Sequence, residues 1–260
     1  MERVYLSSTT LNIKGDIDME NLRKKILFPF CLMLMCGLAA IQGRPVRAAG
    51  HAQAADSHFS TPVKTKVKKA SSPVIVANFN QDRNLDLAAT AEESSTVLIL
   101  LGKGDGTFTE AAHYAVGEEP SSIILADFNW DSNEDLAVAN EESGTISILL
   151  GKGDGTFEDT VYYPVGNEPS SMVSVDLNRD VKPDLAVANE GSGTVSVLLN
   201  RGDGTFREAV HYPAGDEPSS IISADFNRDG RVDLAVANEN SGHISILLGK
   251  GDGTYEEPQP

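Results

Sequence analysis

The sequence predicts an all-β fold, a β-propeller of four-stranded antiparallel blades, on three observations. Apolar residues occur in short alternating runs without helical periodicity, which indicates β-strands. Turn-forming Gly, Asn, Asp and Pro residues separate these runs. The whole pattern occurs four times with a fixed spacing of 49 residues. Four short strands in a period of roughly 40 to 50 residues are typical of one propeller blade.

One complete repeat unit runs from residue 122 to residue 170. It contains a first apolar run, S-I-I-L-A-D-F, then an acidic loop, then a second run, D-L-A-V-A-N. A turn, E-E-S-G, leads to a third run, T-I-S-I-L-L, and the glycine-rich turn G-K-G-D-G leads to a fourth strand. A β-sandwich does not require such a strict repeat and a β-helix has a shorter coil, so the spacing favours a propeller.

The fourth strand of each unit begins with an aromatic residue, and one more residue of this series lies N-terminal to the first complete unit. The aromatic positions, 49 residues apart, are Phe59, Phe108, Phe157, Phe206 and Tyr255. Residues 59–67 therefore form a fourth strand without a unit in front of them. We expect this segment to pair with the last unit and close the ring, because closure removes open sheet edges.

Each unit contains a nine-residue acidic loop with oxygen-bearing side chains at positions one, three, five and nine. The residues at these positions are Asn78, Asn80, Asp82 and Asp86; Asp127, Asn129, Asp131 and Asp135; Asp176, Asn178, Asp180 and Asp184; and Asp225, Asn227, Asp229 and Asp233. Positions one, three and five of a looping backbone can converge on one ion, position seven can add its backbone carbonyl, and the position-nine carboxylate can reach back. Ligand sets made only of oxygen favour calcium over metals that prefer nitrogen or sulfur.

We therefore predict up to four calcium ions, although one such loop alone could be a solvated polar turn. The loops are expected to differ in affinity. The fourth loop has three carboxylates and Gly230 at position six, and it is predicted to bind most strongly. The third loop has Val181 at position six, where a β-branched residue tolerates a positive φ poorly. The first loop, which begins with Asn78, is predicted to bind most weakly.

The stretch D-F-N-R-D-G-R-V-D-L-A-V-A-N and the glycine-rich segments that follow it resemble the FG-GAP/VCBS repeat of integrin-α-like propellers. The resemblance covers residues 59–260 and recurs in every unit. Members of that family usually have seven blades, whereas four units occur here. The chain is therefore either a four-bladed ring or a fragment of a larger propeller.

In a propeller the acidic loops and the glycine-rich turns share one face, and the remaining turns share the other. The resemblance implies that this second face binds ligands. Its candidate residues are Glu119, Asn140, Glu141, Glu168, Asn189, Glu190, Glu217, Asn238 and Glu239. The alternative is that these side chains satisfy the backbone of the turns. We expect an extracellular protein or a glycan as the partner.

The first 48 residues have the character of a leader. Arg23, Lys24 and Lys25 precede an apolar run from Ile26 to Ile41, as in a signal peptide, and Met19 is a possible start. We expect export to the periplasm, the cell surface or the medium, with a retained anchor as the alternative but no stable membrane span. Residues 49–58 are predicted to be a linker.

Charge and residue content argue against several functions. A formal net charge of −17 does not suit binding to nucleic acid. Both cysteines precede residue 49, so no disulfide can stabilise the repeats and bound metal is the expected substitute. The histidines are scattered, and no nucleophile motif is present, so we predict a non-enzymatic adhesion or binding module. The alternatives are a polysaccharide-acting extracellular enzyme or its accessory domain, and a structural fragment of a larger surface protein.

Overall fold

The structure, a computed structural model, describes residues 73–256, which form four antiparallel sheets, hereafter the four blades. The first blade comprises β1 (Val74–Ala77), β2 (Asp86–Ala91), β3 (Thr96–Gly102) and β4 (Phe108–Ala115). The second comprises β5 (Pro120–Ala126), β6 (Asp135–Asn140), β7 (Thr145–Leu149) and β8 (Val161–Pro164). The third comprises β9 (Pro169–Val175), β10 (Asp184–Asn189), β11 (Thr194–Leu198) and β12 (Val210–Pro213). The fourth comprises β13 (Pro218–Ala224), β14 (Asp233–Asn238) and β15 (His243–Leu247).

Consecutive strands are neighbours in every blade, and all pairs are antiparallel. The predicted all-β fold and the predicted four-stranded blade are therefore confirmed for the first three blades. The fourth blade has three strands in the described part of the chain. The predicted closing strand, residues 59–67, lies outside the described residues, as do the predicted leader and linker. No helix in residues 73–256 is long and apolar enough to cross a membrane.

The hydrophobic core lies between the blades, because the second strand of each repeat, D-L-A-V-A-N, is apolar on both faces. In β6, Leu136 and Val138 pack in a cluster with the first blade, whereas Ala137 and Ala139 pack in a cluster with the third. All six residues of β6 are buried as a result. A third cluster joins the third blade to the fourth. Among the described residues, no core cluster joins the fourth blade to the first, so ring closure is not confirmed.

Aromatic side chains pack against one another between consecutive blades. Phe157, at the end of the glycine-rich turn of the second blade, lies 5.5 Å from the rings of both Phe79 and Tyr114 of the first blade. The Tyr114 hydroxyl also accepts a 2.9 Å hydrogen bond from the Phe157 N–H. Phe206 of the third blade makes the same contacts with Phe128 and Tyr163. Phe157, Phe206 and Tyr255 of the repeated aromatic series are thus inter-blade contacts.

The substitution Tyr114→Phe removes this acceptor and leaves the N–H of Phe157 without its partner at a buried position. We expect a loss of about 1–3 kcal/mol in the free energy of unfolding, measured by chemical denaturation. Tyr162→Phe is the matched control, because the Tyr162 side chain is exposed and its hydroxyl makes only a 3.4 Å bond. The control should change stability by less than about 0.5 kcal/mol. Equal effects of the two substitutions would contradict the fastening role of Tyr114.

Candidate metal centre

The four acidic loops connect the first strand of each blade to the second, and their position-nine aspartates begin the second strands. These aspartates are fully buried, and each accepts two backbone hydrogen bonds. The Oδ2 atom of Asp135 accepts 2.7 Å from the N–H of Phe128, and Oδ1 accepts 2.7 Å from the N–H of Gly151. Asp86, Asp184 and Asp233 accept the equivalent pairs of bonds. One carboxylate thus connects the acidic loop to the glycine-rich turn, which confirms that the two lie on the same face.

Burial disfavours the charged form of Asp135 and Asp184. It raises the pKa of the Asp135 carboxyl to about 6, and the nearby Asp131 and Asp127 carboxylates add to the increase. Burial likewise raises the pKa of Asp184 to about 6, with Asp180 and Asp176 contributing. The backbone N–H donors oppose this effect in both cases. A bound divalent cation would favour the ionised form of all these groups.

Within each loop, the side chains at positions one, three and five fold back on the backbone. In the second loop, Asp127 Oδ1 accepts from the N–H of Asp131 at 3.1 Å, and Oδ2 accepts from the N–H of Ser132 at 2.9 Å. Asn129 Oδ1 also accepts from Asp131 at 3.1 Å. In the first loop, Asn78 accepts a bond only from Asp82 among the described contacts. The bond to position six is thus made only where position one is an aspartate.

This tight winding places positions four and six of every loop in the left-handed region. The eight residues concerned are Gln81, Arg83, Trp130, Ser132, Arg179, Val181, Arg228 and Gly230. Only Gly230 adopts such a φ without steric cost. The φ of Val181 is 74°, which agrees with the strain expected from the sequence. The sequence did not predict the positive φ at position four, because Gln81, Trp130, Arg179 and Arg228 are not residues that favour this conformation.

The third loop brings its three carboxylates together. One carboxylate oxygen each from Asp176, Asp180 and Asp184 lies within 4.8 Å of the others. In residues 73–256, these three aspartates are the acidic side chains that come close enough together to share one metal ion. The amide of Asn178 and the carbonyl of Lys182 belong to the same loop. Calcium takes six to eight oxygen ligands at about 2.3–2.6 Å, so this donor set fits it. The ion would supply positive charge to a cluster in which Asp184 is buried, Asp176 is half-buried and Asp180 is exposed.

Basic side chains at position seven engage one carboxylate in each of the last two loops. Arg231 donates to Asp229 Oδ2 at 3.0 and 2.5 Å, and Lys182 Nζ donates to Asp180 Oδ2 at 3.0 Å. Arg231 places two donors on one oxygen of Asp229, so it competes more strongly for that carboxylate than the single donor of Lys182 does for Asp180. Of these two loops, the third therefore leaves its position-five carboxylate more available to an ion. The predicted order, with the Gly230 loop first and the Asn78 loop last, stays a prediction.

The glycine-rich turn approaches the acidic loop so closely that most copies exclude a side chain at its first position. A Cβ on Gly151 would lie 2.3 Å from the carbonyl oxygen of Glu134. The third blade has Asn200 at this position, and its amide donates to the carbonyls of Phe128 and Pro183 at 2.9 and 3.1 Å. These short contacts pack the two turns as one unit.

The structure corrects one part of the predicted ligand face. Asn140, Asn189 and Asn238 are buried, and their amides donate inside the turn between the second and third strands. Asn140, for example, donates 3.1 Å to the carbonyl of Thr145 and 2.9 Å to the hydroxyl of Ser147. These amides satisfy the turn and do not reach the surface. The sequence contains a signal for this hydrogen bonding within the turn. A Thr occurs five residues after each Asn and a Ser seven residues after it, except that His243 replaces the Thr in the last copy.

The glutamates of the same face form an acidic rim. Glu119, Glu141, Glu168, Glu217 and Glu239 are exposed, and Glu190 is half-buried. The backbone N–H of Glu141 donates 2.8 Å to the carbonyl of Glu119, and the later blades repeat this pairing. Burial and the neighbouring Glu119 carboxylate raise the pKa of Glu141, and burial and Glu217 raise that of Glu190. The carboxylates of adjacent blades are thus close enough to repel one another.

A cavity of about 480 Å³ opens on this rim between the third and fourth blades. Its polar lining includes Glu168, Glu190, Asp216 and Glu217, together with Ser192.

The comparison with protein families finds an FG-GAP-like repeat at residues 78–138, 127–187 and 176–236. The chain belongs to the FG-GAP-like repeat family. Each match begins at position one of an acidic loop and ends in the second strand of the next blade. The family repeat therefore coincides with the loops and with the interfaces between the blades. The comparison with curated proteins gives no match.

Solved structures similar to this FG-GAP-like chain show the fold. A putative 6-phosphogluconolactonase from Bacteroides uniformis has a TM-score of 0.53 at 15% identity, over 70% of this chain and 52% of that one. The periplasmic gluconolactonase of Pseudomonas aeruginosa has a TM-score of 0.52 at 17% identity, over 71% and 52%. BBS1N, in a complex with ARL6DN, has a TM-score of 0.50 at 17% identity, over 73% and 56%. The matched region is thus about half the length of these structures.

The strained Val181 offers a direct test of the loop geometry. Val181→Gly relieves the cost of a positive φ, about 1–3 kcal/mol, against a smaller loss from the more flexible unfolded chain. We expect the metal-free protein to gain about 1 kcal/mol in its free energy of unfolding. Val210→Gly in β12 is the matched control, since both valines are exposed but Val210 lies in a regular strand. The control should destabilise, and a destabilising Val181→Gly would show that the left-handed conformation is not present.

Proposed function

We propose that this chain is an exported, calcium-binding β-propeller module that binds an extracellular protein or glycan. The convergence of Asp176, Asp180 and Asp184 within 4.8 Å carries the calcium part of this proposal. The same loop sequence recurs in all four units, which supports up to four ions. The predicted leader, residues 1–48, supports export.

Calcium would act here as a structural ion. The chain carries a formal net charge of −17, and each loop concentrates carboxylates at the point where three chain segments meet. Each bound Ca²⁺ would offset two negative charges and would favour the ionised form of the buried position-nine aspartate. The repeats contain no cysteine, so metal binding replaces disulfides as the stabilising device.

The acidic rim is the proposed partner surface. Three of its glutamates, Glu168, Glu190 and Glu217, line the cavity between the third and fourth blades, and the rim lies on the face opposite the ion loops. Their mutual repulsion would be relieved by a partner that presents lysine or arginine side chains, or by a glycan with basic groups. BBS1N, whose structure was determined in complex with ARL6DN, provides a fold-level precedent for protein binding.

We propose no catalytic role. Two of the similar structures carry gluconolactonase names, but at 15% and 17% identity they share only the fold.

Removal of one carboxylate from the third loop tests the calcium site. Asp180→Asn keeps Oδ1 as the acceptor for the Lys182 N–H but removes the charge of Asp180. We expect calorimetric titration to show one calcium ion fewer per chain, and a smaller drop in melting temperature upon addition of EDTA. Asp159→Asn, at an exposed position outside the loops, is the control and should change neither value. An unchanged ion count in Asp180→Asn, or no effect of EDTA on the wild type, would refute the calcium proposal.

The partner surface is tested with a panel of purified extracellular proteins and a glycan array, both probed in calcium. The double variant Glu168→Gln, Glu190→Gln should lose at least about tenfold in affinity for any partner found, since two rim charges are removed. Glu158→Gln, an exposed glutamate outside the rim, should bind as the wild type does. Binding that both variants retain would place the partner elsewhere, and no binding by the wild type would count against a ligand-binding role.

A further inference from the structure

The fourth blade exposes an apolar face that the second and third blades bury. In the second blade this face consists of Phe128, Ala137, Ala139, Ile146 and Ile148, and it packs against the third blade. The same positions in the fourth blade are Phe226, Ala235, Ala237, Ile244 and Ile246. Phe226 is 44% exposed, Ile244 69% and Ile246 38%, whereas Phe128, Ile146 and Ile148 are at most 1% exposed. Among residues 73–256, therefore, no blade covers this surface of the fourth blade.

In residues 73–256 no other blade covers the opposite side of the first blade. Val74 is 54% exposed, although the residues at its position in the later blades, Ile123, Met172 and Ile221, are at most 7% exposed. Phe108 and Leu87 are half-buried, although their counterparts are buried. Ala89 and Leu100 of this face are already buried, at 2% and 4% exposure. The uncovered surface thus centres on Val74 and Phe108.

The packing around the glycine-rich turns also differs between the first blade and the others. The Cβ positions of Gly155, Gly204 and Gly253 lie 2.6–3.1 Å from leucine side chains of the preceding blade, Leu101, Leu150 and Leu199. Nothing in the structure lies within 4 Å of the corresponding position at Gly106 of the first blade. The repeat supplies the fitting leucine at Leu248 of the fourth blade, which is half-buried. The two uncovered surfaces are therefore the two halves of one inter-blade interface.

Within the described residues of one chain these halves do not meet, because the core clusters there join only consecutive blades. The predicted closing strand, residues 59–67, would cover the hydrogen-bonding edge of β15 but not the apolar face of its sheet. The solved structures with this fold are matched over 52% to 56% of their length, so the four blades correspond to about half of a comparable ring. A second copy of this chain provides that amount with the correct surface.

We propose that two copies associate head to tail and form a closed ring of eight blades. The fourth blade of each copy packs on the first blade of the other, with Phe226, Ile244 and Ile246 against Val74 and Phe108. The two new interfaces are related by a twofold axis along the centre of the ring and use both uncovered surfaces of both copies. A closed arrangement leaves no apolar surface for further addition, whereas an open head-to-tail chain would grow into a fibre.

The test is sedimentation equilibrium of the full chain in calcium, for the wild type and three variants. Ile244→Asp and Val74→Asp each put a charge on one of the two surfaces, and both side chains are too exposed to be needed for folding. Val210→Asp, at an equally exposed valine of β12, is the matched control. Circular dichroism checks that all four proteins are folded.

We expect a dimer for the wild type and the control, and monomers for Ile244→Asp and Val74→Asp. A mixture of these two variants should form dimers again, at weaker affinity than the wild type, because one of its two interfaces contains only unchanged surfaces. Loss of the dimer in Ile244→Asp but not in Val74→Asp would indicate that two fourth blades pair with each other, and would overturn the proposal. A folded wild-type monomer or an open series of larger species would overturn it as well. All proteins carry the same apolar residues 26–41, so association through that segment would persist in every variant and would also count against the ring.

Discussion

The buried aspartate at position nine of each acidic loop is the interaction on which the rest of the blade depends. Its two carboxylate oxygens accept the N–H of position two in the loop and the N–H at the start of the glycine-rich turn, as in Asp135 with Phe128 and Gly151. This one side chain fixes the start of the second strand, the path of the loop and the end of the third strand. A neutral amide in its place could accept only one of the two bonds, so aspartate is required.

This role connects the loops to the contacts between blades. The second residue of the loop, Phe79 or Phe128, is held by the aspartate and packs its ring on Phe157 or Phe206 of the next blade. Its carbonyl also accepts a bond from a glycine of the next turn, Gly155 or Gly204. A calcium ion in the loop would therefore strengthen both the loop itself and the contact that joins the blades. Loops and interfaces form one continuous arrangement, which explains why the family repeat spans from one loop into the next blade.

The two faces of the blades have different chemistry for physical reasons. On the loop face, carboxylates converge and are bonded to backbone donors, which prepares them for a small cation. On the opposite face, the glutamates project from turns whose backbone is already satisfied by buried asparagines, so their charges face solvent. A small cation suits the first arrangement, and a larger basic partner suits the second.

The repeat made much of this structure predictable. Alternation within D-L-A-V-A-N, the 49-residue spacing and the turn residues determined the strands and the four-stranded blade, because strand periodicity and turn chemistry are local properties. The acidic loop and its candidate ligands, Asp176, Asp180 and Asp184, followed from the same local spacing. Local sequence also indicated the strain at Val181, since a β-branched side chain is unfavourable wherever φ is positive.

Only the tertiary structure decided what contacts these residues make over longer distances. The asparagines of the second face look like surface ligands in the sequence, but the fold buries Asn140, Asn189 and Asn238 against Thr and Ser hydroxyls and backbone carbonyls of the adjacent strand. The sequence presents Ile148 and Ile246 as the same residue in the same repeat, yet one is buried and the other is exposed. Burial of a repeated residue depends on whether another blade lies next to it, and that neighbour is a property of the assembled fold.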